Sequence, residues 1–262
     1  MSLRRIWALN LRQLYVLRRS WARVTDLFYW PVLDLLFFGF LSLYVNRLDG
    51  VPLVVGLMLG ALILWNVFFW VQQGISVSFL MELWTRNLLN LFATPITMPE
   101  FLVSLMIWGV IKIGITTTLL SALAYLLYQF NVFTLGLSLI PFFAALILFA
   151  WAVGMVVTAI ILRFGQAAET LAWSLAFLFQ PFGAVFYPLS IYPDWLVRGL
   201  VLMPLPHVFE GMRQVLAGRP LPWTNVWTAF ALDVFYLLAA FIFFGYMFTL
   251  ARERGLLLKA QE

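Results

Sequence analysis

The chain has 262 residues, of which 64% are hydrophobic and only 10% charged, and its mean hydropathy is +0.99. That balance excludes a water-soluble domain, whose surface needs more polar cover than these residues supply, so lipid is the solvent for most of the chain. The formal charge is +5 and there is no cysteine, which excludes disulfides, thiol chemistry and Cys-ligated metals.

Residues 1–24 project as an amphipathic helix at about 100° per residue. Leu3, Trp7, Leu11, Leu14, Leu17 and Trp21 fall on one side, and Arg5, Arg12, Arg19 and Arg23 fall nearly opposite. Arg4 and Arg18 flank the apolar stripe, where long stems can snorkel. Such a helix lies in the membrane interface. A simple anchor and a helix that also touches a cytoplasmic partner are both open readings. The segment is too polar for a cleaved signal peptide.

Six apolar runs follow, at about 26–46, 52–74, 101–129, 134–162, 169–190 and 224–250. Each approaches or exceeds the roughly 20 residues that a helix needs to cross a bilayer. Helices are required because open backbone is not tolerated in lipid, and the alternating short strands of a barrel are absent. The expected fold is an all-α membrane protein. Residues 1–262 form a single transmembrane domain, with an interfacial helix over 1–24, six spans within 25–250 and a cytoplasmic tail over 251–262. Gly109, Gly114, Gly154 and Pro181 mark either breaks or close helix contacts, and the latter is preferred. Arg4, Arg5, Arg12, Arg18, Arg19 and Arg23 precede the first span, and Arg252, Arg254 and Lys259 follow the last. With an even number of spans, the positive-inside rule places both termini in the cytoplasm.

The connection between the second and third spans, SFLMELWTRNLLNLFATPITMPEF, is long and amphipathic. Leu83, Trp84, Leu88, Leu91 and Phe92 can face lipid or helix ends, while Glu82, Arg86, Asn87 and Asn90 can face the cytosol. Pro95 and Pro99 stop the helix, because proline lacks a donor and restricts the residue before it. A short cytoplasmic helix joined rigidly to two spans is a lever on which a cytoplasmic motor could push.

Before the last span, residues from about 193 to 203 and from about 206 to 216 are short, amphipathic and bounded by Pro or Gly. They are too short to span and suit two short re-entrant outer helices forming a gate, or a loop on lipid headgroups. Glu210 and Arg213 are spaced to pair on one helix face. His207, the only histidine, reads as structural rather than as a proton relay. Three charges sit within the spans, Asp34, Lys112 and Asp233. Each needs a partner, water or neutralisation. Lys112 could pair with Asp34 or Asp233, line a substrate cavity, or take part in proton coupling. Trp30, Tyr44, Tyr187, Tyr192, Trp195 and Trp223 fit aromatic belts, whereas Trp65, Phe68, Phe69, Trp108 and Phe179 could line a pathway.

The order of these parts resembles the membrane subunit of a type-2 ATP-binding-cassette (ABC) exporter. The local matches are RNLLNLFATPITMPEF at Arg86–Phe101 and PDWLVRGLVLMPLPHVFEGMRQVLAGRP at Pro193–Pro220. Within them, Leu88, Leu89, Thr94, Pro95, Glu100 and Phe101 match the first motif, and Pro204, Pro206, Glu210 and Arg213 match the second. Arg86-Asn87 stands where many members carry Gly-Thr. The resemblance implies a coupling helix at about residues 83–94, using Glu82, Arg86, Asn87, Leu88, Leu89, Asn90, Phe92, Thr94 and Pro95. That helix would dock on a separate ATP-binding subunit that holds ATP and Mg. It also implies two permeases with two ATPases in the working unit, with a permease homodimer in a bacterial-type inner membrane expected and a heterodimer open; the outer gate expected from the loop residues uses Pro204, His207, Glu210 and Arg213.

No Walker A pattern is present, so the chain is not itself the ATPase. The function expected is export of an amphipathic cargo, such as a lipid-linked glycan, a lipid or a hydrophobic drug. A charge reversal at Arg86 or a proline at Leu89 should uncouple transport from hydrolysis. An intramembrane enzyme is disfavoured, since there is no His-Glu-x-x-His, no clustered Asp pair and one histidine only. A channel or secondary transporter using Asp34, Lys112 and Asp233 is the alternative, although no inverted repeat supports it.

Overall fold

A computed structural model describes residues 1–49 and 53–253. It is all helical, with ten α-helices and no strand among the described residues. In chain order these are α1 (Leu3–Arg19), α2 (Trp21–Asp49), α3 (Leu53–Trp84), α4 (Leu88–Ala93), α5 (Met98–Tyr128), α6 (Leu139–Phe164), α7 (Glu169–Phe182), α8 (Asp194–Leu200), α9 (Pro204–Leu216) and α10 (Trp223–Glu253). Arg254, Lys259 and the rest of the expected tail beyond Glu253 lie outside the described residues.

Five helical segments among the described residues are long and apolar enough to cross a membrane: α2, α3, α5, α6 with the 3₁₀ turn before it, and α10. The run at 169–190 does not form a sixth such helix. Its helical part, α7, has 14 residues, or about 21 Å at 1.5 Å per residue, against a hydrocarbon core of about 30 Å. Pro181 lies in its last turn, and the chain then leaves helical geometry at Gly183 and Ala184. Hydropathy alone carried the expected span through to Leu189 and Ser190, across a proline and a turn.

α3 is the axis of the bundle. It packs on α5, α6, α2, α7 and α9, and the other dominant pair is α6 with α10. Leu59, Leu62, Phe68, Ile75 and Phe79 are fully buried along it. The crossing of α3 with α5 is built on glycine: a Cβ on Gly74 would stand 2.4 Å from Gly109 Cα. Backbones can approach this closely only without side chains between them. α5 is unbroken through Gly109 and Gly114 and α6 through Gly154; Gly154 is another close contact, on Ile75, whereas nothing lies within 4 Å of a Cβ at Gly114.

α3 also continues ten residues beyond the end expected at 74, to Trp84. Its polar residues there face protein rather than water. Ser76 Oγ donates to Gln72 O at 3.1 Å and accepts from Gln72 Nε2 at 3.0 Å, and Gln72, Gln73, Ser76 and Glu82 are all buried. At 32 residues α3 is about 48 Å long, so it overshoots the hydrocarbon by more than 15 Å. α5, with 31 residues, does the same. The paired overshoot of α3 and α5 forms a stalk at one end of the bundle, and α4 closes its tip.

At the other end, α9 buries Leu205, Val208, Phe209 and Met212 against α3, α6 and α10. α8 leaves only Leu200 buried. Trp30, Tyr44, Tyr187, Trp195 and Trp223 are exposed, while Trp65 and Phe68 are buried in the core rather than lining an opening.

Candidate functional site

The tip of the stalk is an elbow made by the end of α3, a left-handed turn and α4. Thr85 N and Thr85 Oγ1 both bond to Met81 O, holding the last turn of α3. Arg86 then reverses the chain at φ 52°, a region that costs a side-chain-bearing residue energy and glycine almost none. α4 is only six residues long. The expected helix over 83–94 is thus two pieces, since Leu83 and Trp84 still belong to α3. Leu89 lies within α4. Leu88 and Leu91 are buried, Phe92 is half-buried with its ring edge-on to Phe101, and Trp84, Arg86, Asn90, Thr94 and Pro95 are exposed. The exposed set forms the outer surface of the elbow.

Glu82 belongs to α3 and does not face solvent. It is buried, accepts from Asn87 Nδ2 at 2.7 Å and Gln13 Nε2 at 3.4 Å, and pairs with Arg12. A second buried acid, Glu100, closes the other side of the elbow. It forms a capping box with Thr97, whose amide lies 3.0 Å from Glu100 Oε2. It also accepts from Ser2 N at 2.6 Å and pairs with Arg5 at 3.2 Å. Arg5 donates in addition to Pro95 O. Two arginines seven residues apart, on one face of α1, therefore engage two acids on opposite sides of the elbow.

This arrangement corrects the expected orientation of α1. Its Arg5 and Arg12 turn toward protein, and Ile6, Leu9 and Asn10 are buried there. Leu3, Trp7 and Leu14 remain exposed and keep an apolar stripe available to lipid. Arg19 is exposed at the end of α1. Arg23 is not part of this helix; it lies in the first turn of α2.

The outer segment has its own fastening. Arg213 donates to Ala184 O at 2.7 Å and Val185 O at 3.2 Å and pairs with Glu210 at 3.2 Å. Glu210 accepts from Leu189 N at 2.7 Å. The irregular chain after α7 is thereby tied to α9. Pro204 starts α9, where its missing donor costs nothing. His207 Nε2 lies 2.8 Å from Val201 O, at the end of α8.

Asp34, Lys112 and Asp233 do not pair with one another; the ion pairs among the described residues are Arg5–Glu100, Arg12–Glu82 and Arg213–Glu210. Asp34 is exposed on α2. Asp233 is fully buried with neither carboxylate oxygen hydrogen-bonded. Lys112 lines a cavity beside α1. No local sequence pattern marks Glu82 and Glu100 as clamps, although the spacing of Arg5 and Arg12 on one helix face carries half of the signal.

No curated protein matches the chain. A family model for ABC-2 type transporters matches residues 4–217, a stretch that takes in α1, the stalk, the elbow and the outer fastening. The chain thus belongs to the ABC-2 type transporter family, as a membrane-embedded permease subunit rather than an ATPase.

Proposed function

We propose that this permease exports an amphipathic cargo, driven by ATP hydrolysis on a separate ABC subunit that carries the ATP and Mg. The observation that carries this reading is the elbow. Its outer surface, Trp84, Arg86, Asn90, Thr94 and Pro95, is exposed at the tip of a stalk formed by α3 and α5, two long helices in direct backbone contact. A push at the tip moves both helices, because the clamp of α1 on Glu82 and Glu100 and the Gly74–Gly109 contact leave little slack. The positive residues of α1 support an elbow and N-terminus on the cytoplasmic side, and the membrane we infer is a bacterial-type inner membrane. With the C-terminus there as well, α7 and the irregular chain after it complete a sixth crossing.

Asp34 supports a homodimer. A charge exposed in the middle of α2 is costly against hydrocarbon, and a second copy covering α2 removes it from lipid. A cavity of about 360 Å³, walled by Phe149, Phe179 and Tyr236 among others, supports an apolar or flat cargo moiety such as a lipid, a lipid-linked glycan or a drug. The outer fastening of Arg213 and Glu210 would act as the gate. A secondary transporter gains no support from Asp34, Lys112 and Asp233, which form no relay.

The test is co-expression with an ABC ATPase subunit of the same genome, purification in mild detergent and ATPase assay in nanodiscs. A stoichiometric partner is expected, and Arg86→Glu should lower stimulated hydrolysis and transport while the amount of folded permease is unchanged. A permease that purifies alone and transports on a proton gradient without ATP would overturn the reading.

A further inference from the structure

Where α1, α2, α3, α5 and α7 meet, along the stalk below the elbow, the structure has an open-mouthed cavity of about 210 Å³. Its lining is chemically divided. Arg12, Gln13, Glu82 and Asn87 stand at one end and are spent on one another. Trp70, Trp108 and Trp173 add an aromatic part to the wall. Lys112 and Arg23 also line it, and neither has an ion-pair partner among the described residues.

The charge balance of this wall does not close. Three cations, Arg12, Arg23 and Lys112, face two anions, Asp26 and Glu82. Arg12 and Glu82 cancel. Asp26 is the one remaining acid for Lys112 and Arg23, and its carboxylate already accepts from Trp30 Nε1 at 3.0 Å. One positive charge is left in a site partly removed from water, where an uncompensated charge is expensive. One buried donor of the same wall, Arg12 Nε, also lacks a hydrogen-bond partner. The rim is accessible, since Asp26 and Trp173 are exposed.

We propose that this cavity holds the phosphodiester of an anionic phospholipid, with Lys112 and Arg23 as its cationic contacts and the indoles of Trp70, Trp108 and Trp173 against the glycerol end. A phosphodiester carries one negative charge and closes the balance, and its oxygens suit ammonium and guanidinium donors. The indoles select the lipid over free phosphate, because tryptophan favours the level where headgroup meets acyl chain and inorganic phosphate has nothing to place against it. The occupant is a lipid held beside α1, at the helix that clamps the elbow. The topology proposed above decides only which leaflet supplies it.

Native mass spectrometry of the delipidated full-length chain tests this without ATP or a partner subunit, so it stands apart from the test of coupling. The probes are dioleoylphosphatidylglycerol, dioleoylphosphatidylcholine and inorganic phosphate. One phosphatidylglycerol per chain is expected, about tenfold or more tighter than phosphatidylcholine, whose choline restores the surplus charge. Lys112→Gln and Arg23→Gln should each weaken it by about tenfold, the scale of one charge-assisted hydrogen bond. Lys112→Arg should retain it, and Arg18→Gln, outside the cavity wall, should leave it unchanged. Equal retention of both lipids, or equal binding by wild type and Lys112→Gln, would overturn the proposal. Displacement of the lipid by millimolar phosphate would also overturn it, by assigning the site to a soluble anion.

Discussion

The clamp of α1 on the elbow makes a quantitative claim through Glu82. In Glu82→Gln one carboxylate oxygen becomes an amide NH₂. Glu82 is approached only by donors, namely Arg12 and Gln13 on Oε1 and Asn87 Nδ2 at 2.7 Å on Oε2. Whichever way the new amide turns, one donor meets a donor. A buried hydrogen bond to a charged group contributes about 1.5–3 kcal/mol. The Arg12 side chain is 36% exposed and can recover water, which places the loss at the low end, about 1.5 kcal/mol. That corresponds to about a tenfold rise in the population of undocked α1.

The chain has no cysteine, so a single introduced thiol reports docking with no background to remove. Leu9 is 5% exposed on the docked face of α1. Maleimide labelling of Leu9→Cys in nanodiscs should therefore accelerate about tenfold when Glu82→Gln is added. The same background with Arg18→Gln, which removes an exposed charge from α1 without touching Glu82, should label at the parental rate. An unchanged rate in the Glu82→Gln pair would refute the clamp and with it the claim that α1 moves with the elbow.

Three further outcomes follow from the geometry. Gly74→Ala places a methyl 2.4 Å from Gly109 Cα; the helices must part, and thermal unfolding in detergent should register a loss of about 1–3 kcal/mol. Arg213→Ala removes two bonds to backbone carbonyls and the ion pair to Glu210, so hydrogen exchange over 184–189 should quicken by about tenfold or more while α9 keeps its protection. Leu89→Pro and Leu91→Pro should separate: Leu89 is in the first turn of α4, where proline is tolerated, whereas Leu91 N donates to Asn87 O at 2.9 Å. ATPase stimulation should survive the first substitution and fail in the second.

The proline pair shows where sequence reading was limited. Composition and run length were enough to recover α2, α3, α5, α6 and α10, because only lipid can accept that much apolar surface. Pro95 and Pro99 likewise bounded the elbow, since a proline acts on the backbone whatever surrounds it. The start of α4 was not legible. A helix over 83–94 puts Leu89 in its interior, but the true start depends on Arg86 adopting φ 52°, and nothing in an arginine announces that conformation. Polarity was misread for a related reason: it distinguishes favourable from unfavourable solvents and says nothing about protein partners. Glu82 reads as facing the cytosol, yet α1 covers it, and α3 satisfies the nearby Ser76 from within.

The arginines of α1 illustrate the same ambiguity in reverse. On a helical wheel Arg5, Arg12 and Arg19 form one polar face, and the wheel assigns that face to water. Two of the three are occupied by buried acids that lie 70 and 95 positions further along the chain. Pairing at such separation leaves no local pattern, because both glutamates sit in the connection between the second and third runs, where a carboxylate reads as facing the cytosol. A physical cue does exist in hindsight. Each glutamate falls within two turns of a long apolar helix, where an unpaired carboxylate is costly, and two such acids require two cations from elsewhere in the chain. The basic helix before the first span is the nearest concentrated source. The same cost argument, applied to Lys112 and Arg23, leads to the cavity beside α1, where Asp26 alone cannot balance both cations and a lipid phosphate can.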